Sequence, residues 1–415
     1  MRVQFVPFPA PSHYCLMVPL AWAFQNAGHD VRVVTAPNVV DTVTGTGLAV
    51  ESYGEPADLS LDIGAMTWLS RISGIDSGGT AHDDELRSLI LGPFVMHYGS
   101  DALRETMAEL IDKTRSWRPD LVVWDTFASQ TMVAARLAGA ASARLLWGHD
   151  PFGRMRGAFN RRKARDGVED SMEILLSRML AKYDAPFDER VVVGDFSINP
   201  LPMLDTGSTE PTVALRQLAY SHTTQTPSWL YEPLTRPRVC LTLGRSVRDI
   251  RDNDNYGIAV EDLFEAVTDL DLDVVATLTA GQVPDGVKVP DNVRLVDYVP
   301  IHTLMSTCSA TIHHSGGTTM MAALWHKVPQ VIIPPQKWGD PLLARKAADQ
   351  GGAIVIPLDE LTPGGLREAL LRVLDEPSFA EGMSRMHAAT LTLPSPNDAV
   401  PILERLTTEA IASRS

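Results

Sequence analysis

Short apolar runs alternate with helix-spaced segments along this chain, and the alternation occurs twice. The first series has strands at Val3–Pro7, Val31–Ala36, Leu121–Trp124 and Arg144–Trp147, with helices at Val18–Ala27, ended by Gly28, and at Thr126–Leu137. The second series begins beyond the breaker-rich stretch Pro227–Pro237. It has strands at Arg238–Gly244, Val274–Leu278, Val293–Val299, Thr311–His313 and Val328–Ile333, with helices at Glu261–Val267, Leu342–Gln350 and Leu366–Leu374. A strand followed by a crossover helix returns to the sheet parallel to its predecessor. The expected fold class is therefore α/β, with two doubly wound, Rossmann-like domains. Such sheets take ligands beyond the carboxyl ends of their strands, so a cleft faced by both domains is the expected site. The mixed, glycine-rich stretch Ser52–Gly99 is expected to supply loops and short helices near the ligand opening.

Charge and composition narrow the partners. Lys+Arg 36 against Asp+Glu 51 leaves a net charge of −15, and there is no basic block. Nucleic acid and anionic membrane are therefore poor partners. The hydrophobic share is 45%, but no run is long enough to span a bilayer. The start, Met1-Arg2-Val3-Gln4-Phe5-Val6, reads as a strand rather than a secretory signal. Cys15, Cys240 and Cys308 have neither metal-ligand spacing nor a disulfide framework, so a reducing cytoplasm is the expected setting. The Gly-x-Gly-x-x-Gly fingerprint and the P-loop pattern are both missing, which disfavours nicotinamide and ATP chemistry.

The segment His313-His314-Ser315-Gly316-Gly317-Thr318-Thr319 lies where a strand hands over to the helical run Met320 to Trp325. The first N–H groups of a helix have no partner within it, and the helix dipole favours negative charge there. Phosphate suits such a place, and a neighbouring histidine can add a donor. The same small residues also suit a turn that lets strand and helix pack closely, and the local sequence balances the two readings. Metal ligation by His313, His314 and His326 is disfavoured. Adjacent strand residues point to opposite faces, and no carboxylate lies at a suitable spacing.

His13, in Pro9-Ala10-Pro11-Ser12-His13 after the first strand, is a candidate general base. Imidazole accepts a proton from an alcohol near neutral pH. Asp125 ends the strand Leu121–Trp124 at the same sheet edge, where a carboxylate can hold the other ring nitrogen. The competing roles are a histidine that positions the turn and an aspartate that caps the helix expected from Thr126.

Further pieces carry a resemblance. They are Pro11-Ser12-His13, Arg144-Leu145-Leu146-Trp147-Gly148, Val191-Val192-Val193-Gly194, Val239-Cys240-Leu241-Thr242-Leu243-Gly244, Val289-Pro290-Asp291-Asn292-Val293-Arg294, Val299-Pro300-Ile301-His302 and the His313-His314 loop. In this order and spacing the chain resembles actinomycete natural-product glycosyltransferases of the GT-B fold. Within them it is similar to those that attach deoxysugars to macrolides and anthracyclines, and the similarity covers nearly the whole chain.

The resemblance implies an inverting transfer of a deoxysugar from a dTDP-sugar to a hydroxyl of a hydrophobic polyketide-type aglycone. It implies no metal and no cofactor besides the dTDP-sugar as co-substrate. Residues 1–226 would form the acceptor-binding domain, 227–237 the linker and 238–393 the nucleotide-sugar domain, with 394–415 packing back on the first domain. His13 would be the base and Asp125 its support. Gly316, Gly317, Thr318, Thr319, the His313 side chain and Ser246 would take the diphosphate, and Tyr298 and Val299 the nucleobase. Relatives write the phosphate loop His-His-Gly-Gly-x-Gly-Ser/Thr, so Ser315 and Thr318 here add a Cβ near the phosphates. Relatives also carry an acidic–amide pair for the sugar hydroxyls, whereas Trp338-Gly339-Asp340-Pro341 leaves only Asp340. Trp68 and Trp147 are candidates for an apolar acceptor pocket. A helper protein related to cytochrome monooxygenases and a homodimer complete the partners that the resemblance allows. Two alternatives stay open: a sugar-nucleotide epimerase of the same fold, and a non-catalytic helper or binding protein.

Overall fold

The computed structural model describes residues 1–57, 101–146, 150–201, 210–222, 224–245, 256–335 and 340–414, with the side chains of 101–104, 151, 155 and 340 outside the description. The chain separates into two compact units, Met1–Gln217 with Leu393–Ser415, and Leu218–Thr392.

Unit 1 holds β1 (Arg2–Val6), β2 (Asp30–Thr35), β3 (Ala49–Ser52), β4 (Leu121–Asp125), β5 (Ala141–Leu145), β6 (Phe196–Asn199) and β7 (Thr212–Ala214). They form a seven-stranded sheet in the order β3-β2-β1-β4-β5-β6-β7, with every pair parallel. Every residue of β4 and β5 is buried; β4 reads as a continuous apolar run for that reason, whereas β5 buries Ser142 and Arg144 between its apolar residues. Four helices bear on the argument: α1 (Pro11–Asn26), α2 (Asp101–Trp117), α3 (Thr131–Leu137) and α4 (Pro151–Asp166).

Unit 2 holds β8 (Arg238–Thr242), β9 (Asp273–Thr277), β10 (Val293–Leu295), β11 (Ala310–His313), β12 (Gln330–Ile332) and β13 (Ala353–Val355). This six-stranded sheet runs β10-β9-β8-β11-β12-β13 and is also parallel throughout. Its helices are α5 (Val260–Val267), α6 (Ile301–Met305), α7 (Gly317–His326), α8 (Asp340–Asp349), α9 (Pro363–Asp375) and α10 (Pro377–Leu391). Val239, Leu241, Val274, Ile312 and Val331 of the strands pack with Leu263 and Phe264 of α5 and with Leu366 and Leu370 of α9. A last helix, α11 (Pro396–Ala412), returns to unit 1 and packs against α1.

In each sheet the strand order reverses direction once, between β1 and β4 and between β8 and β11. At such a switch point the flanking connections part to opposite faces and leave a crevice at the carboxyl ends of the strands. The segments singled out by sequence, His13 with Asp125 and Gly244 with His313-His314, lie at or just beyond the carboxyl ends of those four strands.

Several boundaries differ from the expected ones. The helix expected from Val18 begins at Pro11, so His13 lies in its first turn rather than on a loop. Pro11 at the first helical position has its φ preset and needs no hydrogen bond for a missing N–H. Pro19, which resembles a start signal in sequence, lies inside the helix. The helix expected from Thr126 begins only at Thr131, because Asp125 holds the intervening residues in a turn.

The unit boundary falls at Gln217 and Leu218, ahead of the expected linker 227–237. That proline-rich stretch belongs to unit 2. Ser228–Tyr231 forms one 3-10 turn, Leu230 is buried, and Arg238 and Arg294 stack over Trp229 at 5.2 and 4.9 Å. Proline ends regular elements but does not keep its neighbours from packing. The returning chain is tied in unit 1, where Arg216 N–H donates to the Pro394 carbonyl at 2.9 Å and Arg216 Nε to that of Leu393 at 2.9 Å. The stretch Ser52–Gly99 lies for the most part outside the described residues, and Trp68 and Trp147 lie outside them altogether. Among the described residues no helix is long and apolar enough to cross a membrane.

Candidate functional site

Unit 1 brings His13 and Asp125 together at the switch point of its sheet. His13 Nδ1 lies 2.7 Å from Asp125 Oδ2, and Asp125 is 1% exposed against 20% for the His13 side chain. The other carboxylate oxygen, Oδ1, accepts the Phe127 N–H at 2.9 Å. Asp125 therefore does not cap a helix. One of its oxygens holds the turn after β4 and the other holds the imidazole. Aromatic rings flank the histidine: Phe8 at 5.0 Å and Phe127 at 6.0 Å between centroids, with Phe152 of α4 edge-on to Phe127 at 5.5 Å.

Unit 2 places a helix N-terminus at its own switch point. Gly316 is the N-cap of α7, and no side chain caps it. The N–H groups of Gly317, Thr318 and Thr319 have no acceptor further back in the helix. Gly316, Gly317 and Thr318 are half-buried, and Thr319 is buried.

The expectation that the His313 side chain meets phosphate is corrected. His313 is fully buried, its Nδ1 accepts the Ser315 N–H at 3.0 Å, and its Nε2 donates to Gln330 Oε1 at 2.9 Å. Both nitrogens are used inside the unit. His314 takes the opposite face and lies beside the helix N-terminus. A Cβ on Gly316 would sit 2.8 Å from its Cε1, and one on Gly244 would collide with the same atom. The ring stacks on Tyr256 at 4.7 Å. Its Nδ1 is buried and meets no hydrogen-bond partner among the described residues. Strand alternation held the signal, since His313 and His314 cannot both take the same face.

Ser315 is corrected as well. Its backbone is left-handed at φ +75°, and its side chain is fully buried, with Oγ 3.7 Å from Met320 Sδ. Tyr298 is half-buried, its hydroxyl donates to the His222 carbonyl at 3.4 Å, and the exposed Arg245 lies 5.6 Å over its ring. Val299 is buried, so only its backbone is available to a ligand. Ser246, Trp338 and Gly339 lie outside the described residues, and Asp340 is described only as the first residue of α8. Sequence reasoning missed His314, Arg245, Gln330 and the phenylalanines around His13. Among the described residues no group of three His, Cys, Asp or Glu side chains is arranged to hold a metal ion.

Burial pushes His313 down to about 3 and His314 down to about 4. In the unfolded chain both rings take up protons as pH falls through about 6.5. Their contribution to stability is therefore complete above about pH 6.5 and lost as pH falls towards the folded values. By pH 5 the expected loss is about 2 kcal/mol per ring. Urea melts at pH 7.5 and 5 measure it, and His313→Asn should show the smaller pH dependence. Equal pH dependence in both proteins would reject the assignment.

Models of the erythromycin biosynthesis protein CIII-like family match residues 22–244 with the N-terminal domain and residues 261–406 with the C-terminal domain. The chain belongs to this family. This CIII-like protein is 38% identical over 428 residues to the aclacinomycin-T 2-deoxy-L-fucose transferase of Streptomyces galilaeus, covering 99% of this chain and 97% of that protein. It is 39% identical over 426 residues to the 10-deoxymethynolide desosaminyltransferase of Streptomyces venezuelae, covering 98% and 97%. Among solved structures it is similar to the glycosyltransferase VinC in complex with dTDP, with a TM-score of 0.86, 32% identity and coverage of 99% of this chain and 100% of that one. The two doubly wound units are those of the GT-B fold, and this CIII-like protein is a glycosyltransferase.

Proposed function

We propose that the chain transfers a deoxysugar from a dTDP-sugar to a hydroxyl of a polyketide-type aglycone, inverting the anomeric configuration. The observation that carries this reading is the 2.7 Å contact between His13 Nδ1 and Asp125 Oδ2 beside a group of phenylalanines. The carboxylate keeps the proton of the neutral ring on Nδ1, which makes Nε2 the basic nitrogen. An acceptor hydroxyl gives its proton to Nε2 as its oxygen bonds to the anomeric carbon. The bond from that carbon to the diphosphate breaks on the opposite face, and the electron pair leaves with dTDP. Asp125 offsets the charge of the imidazolium.

In unit 2 the N–H groups of Gly316, Gly317, Thr318 and Thr319, with the His314 ring, receive the charge of the leaving diphosphate. Arg245 adds a cation near Tyr298, whose ring is offered to the thymine. Ser246 and Asp340 stay in the scheme as contacts to phosphate and to a sugar hydroxyl, on sequence alone. The scheme calls for no cofactor beyond the dTDP-sugar. The names of the two relatives support a deoxysugar, and the dTDP complex of VinC supports the nucleotide.

Phe8, Phe127 and Phe152 favour an apolar acceptor, for which an epimerase has no use. Phe152→Ala is expected to raise the acceptor KM about tenfold, because the apolar surface that its half-buried ring offers the acceptor is lost. Steady-state kinetics with each substrate varied checks that the donor KM stays put. An unchanged acceptor KM would place the aglycone elsewhere.

The direct test is a panel of dTDP-deoxysugars and polyketide aglycones, with and without a helper protein related to cytochrome monooxygenases. A glycosylated aglycone with matching release of dTDP is the expected result, and NMR of the new anomeric centre reads the inversion. Binding of dTDP without transfer to any acceptor would leave the non-catalytic reading in its place.

A further inference from the structure

We propose that Gln330 and His313 are positioning residues that hold Ser315 in its left-handed turn and thereby set the N–H groups and the His314 ring that receive the diphosphate. The inference rests on the donor-site reading of this loop given above.

A backbone N–H can only donate, and this settles the rest of the network. The Ser315 N–H points to His313 Nδ1 at 3.0 Å, so Nδ1 carries the lone pair and Nε2 carries the proton. That proton faces Gln330 Oε1 at 2.9 Å, so the amide must present its oxygen to the ring. The Gln330 amide nitrogen is then directed to Met383 Sδ at 3.5 Å. One backbone donor thus dictates a tautomer and an amide orientation across β11, β12 and α10. Ser315, His313, Gln330 and Met383 are all fully buried. A polar atom left unmatched in such a place is costly, so the four groups keep one another in register. Burial pushes His313 down to about 3, which keeps its ring a neutral acceptor at working pH.

The network holds a conformation that serine does not favour. Ser315 has φ +75°, where a Cβ crowds the backbone. Through this turn the chain passes from β11 into α7. The turn also fixes Gly316 against the His314 ring, where a Cβ would lie 2.8 Å from both Cε1 and Nε2. Loss of the acceptor for the Ser315 N–H would let the turn relax. The first N–H groups of α7 and the His314 ring would then move off their common target.

Gln330→Met keeps the length of the side chain and removes its oxygen. By calorimetry on the full chain, its dTDP affinity should fall about tenfold, with thymidine affinity within about twofold of the parent. Adding Ser315→Gly should bring dTDP affinity back to within about threefold of the parent, because glycine adopts this turn unaided. His313→Asn leaves an acceptor for the Ser315 N–H and should retain more dTDP affinity than His313→Phe, which has none. These two variants carry the test if Gln330→Met does not fold. Unchanged dTDP affinity, an equal loss for thymidine, or no rescue by Ser315→Gly overturns the positioning role while the donor-site reading stands. Failure of the parent chain to bind dTDP overturns that reading and this inference with it.

Discussion

Replacing His13 with alanine is expected to lower turnover about a hundredfold or more, with dTDP affinity nearly unchanged. The ring sits in the first turn of α1, held by Asp125 at 2.7 Å and flanked by Phe8 and Phe127, so its loss removes a base and little else. Asp125→Asn should approach the same loss for a geometric reason. The aspartate has two oxygens and two neighbours, the Phe127 N–H at 2.9 Å and the His13 ring. Asparagine has one oxygen. The backbone N–H can only donate and so keeps that oxygen, which turns the amide NH2 towards His13 Nδ1. The histidine proton then moves to Nε2, where the base is needed. An expected loss of about a hundredfold follows from the wrong tautomer. Single-turnover kinetics and thermal melts on both variants decide the matter. Near-normal turnover by a folded His13→Ala protein sinks the base assignment. Lower melting with normal turnover in Asp125→Asn would leave the turn after β4 as the only role of that residue.

The second large effect is expected at His314. Its alanine variant should bind dTDP about tenfold to a hundredfold more weakly, the worth of a hydrogen bond to a charged group, while thymidine binding stays close to normal. His314 is beside the uncapped start of α7, and its Nδ1 has no partner among the described residues. His313→Asn should cost less, because its side chain acts through Ser315. Calorimetric titration of the two variants with dTDP and thymidine gives the ranking. If His313→Asn proved the more damaging, the two faces of the strand end would have been assigned the wrong way round.

The α/β architecture was legible because a parallel sheet covered on both faces needs continuous apolar strands, and runs such as Leu121–Trp124 and Val239–Leu243 have that character in the bare sequence. The contact between His13 and Asp125 was legible for a related reason. Each follows a recognisable strand, and strand ends are where such sheets meet their ligands. Element starts were less legible. Pro19 inside α1 looks like a first-turn proline, and only the packed helix shows that Pro11 holds that place.

The sequence alone thus determined two parallel sheets and the short list of segments at their carboxyl edges, because hydrophobic periodicity and turn chemistry are local properties. Only the tertiary structure decided which atoms on that list are taken up by partners inside the fold. His313 and His314 are neighbours of the same type, yet Gln330, on the adjacent strand β12, claims the first, while Gly244 and Gly316 make room for the second. Ser315 looked like a side chain beside phosphate and is instead a buried turn residue held by its neighbour's ring. The phenylalanines around His13 come from the loop after β1, the turn after β4 and the start of α4, so no local pattern announces them. Contacts of this kind depend on strand order and on which face each side chain takes. Those are fixed only when distant segments pack together.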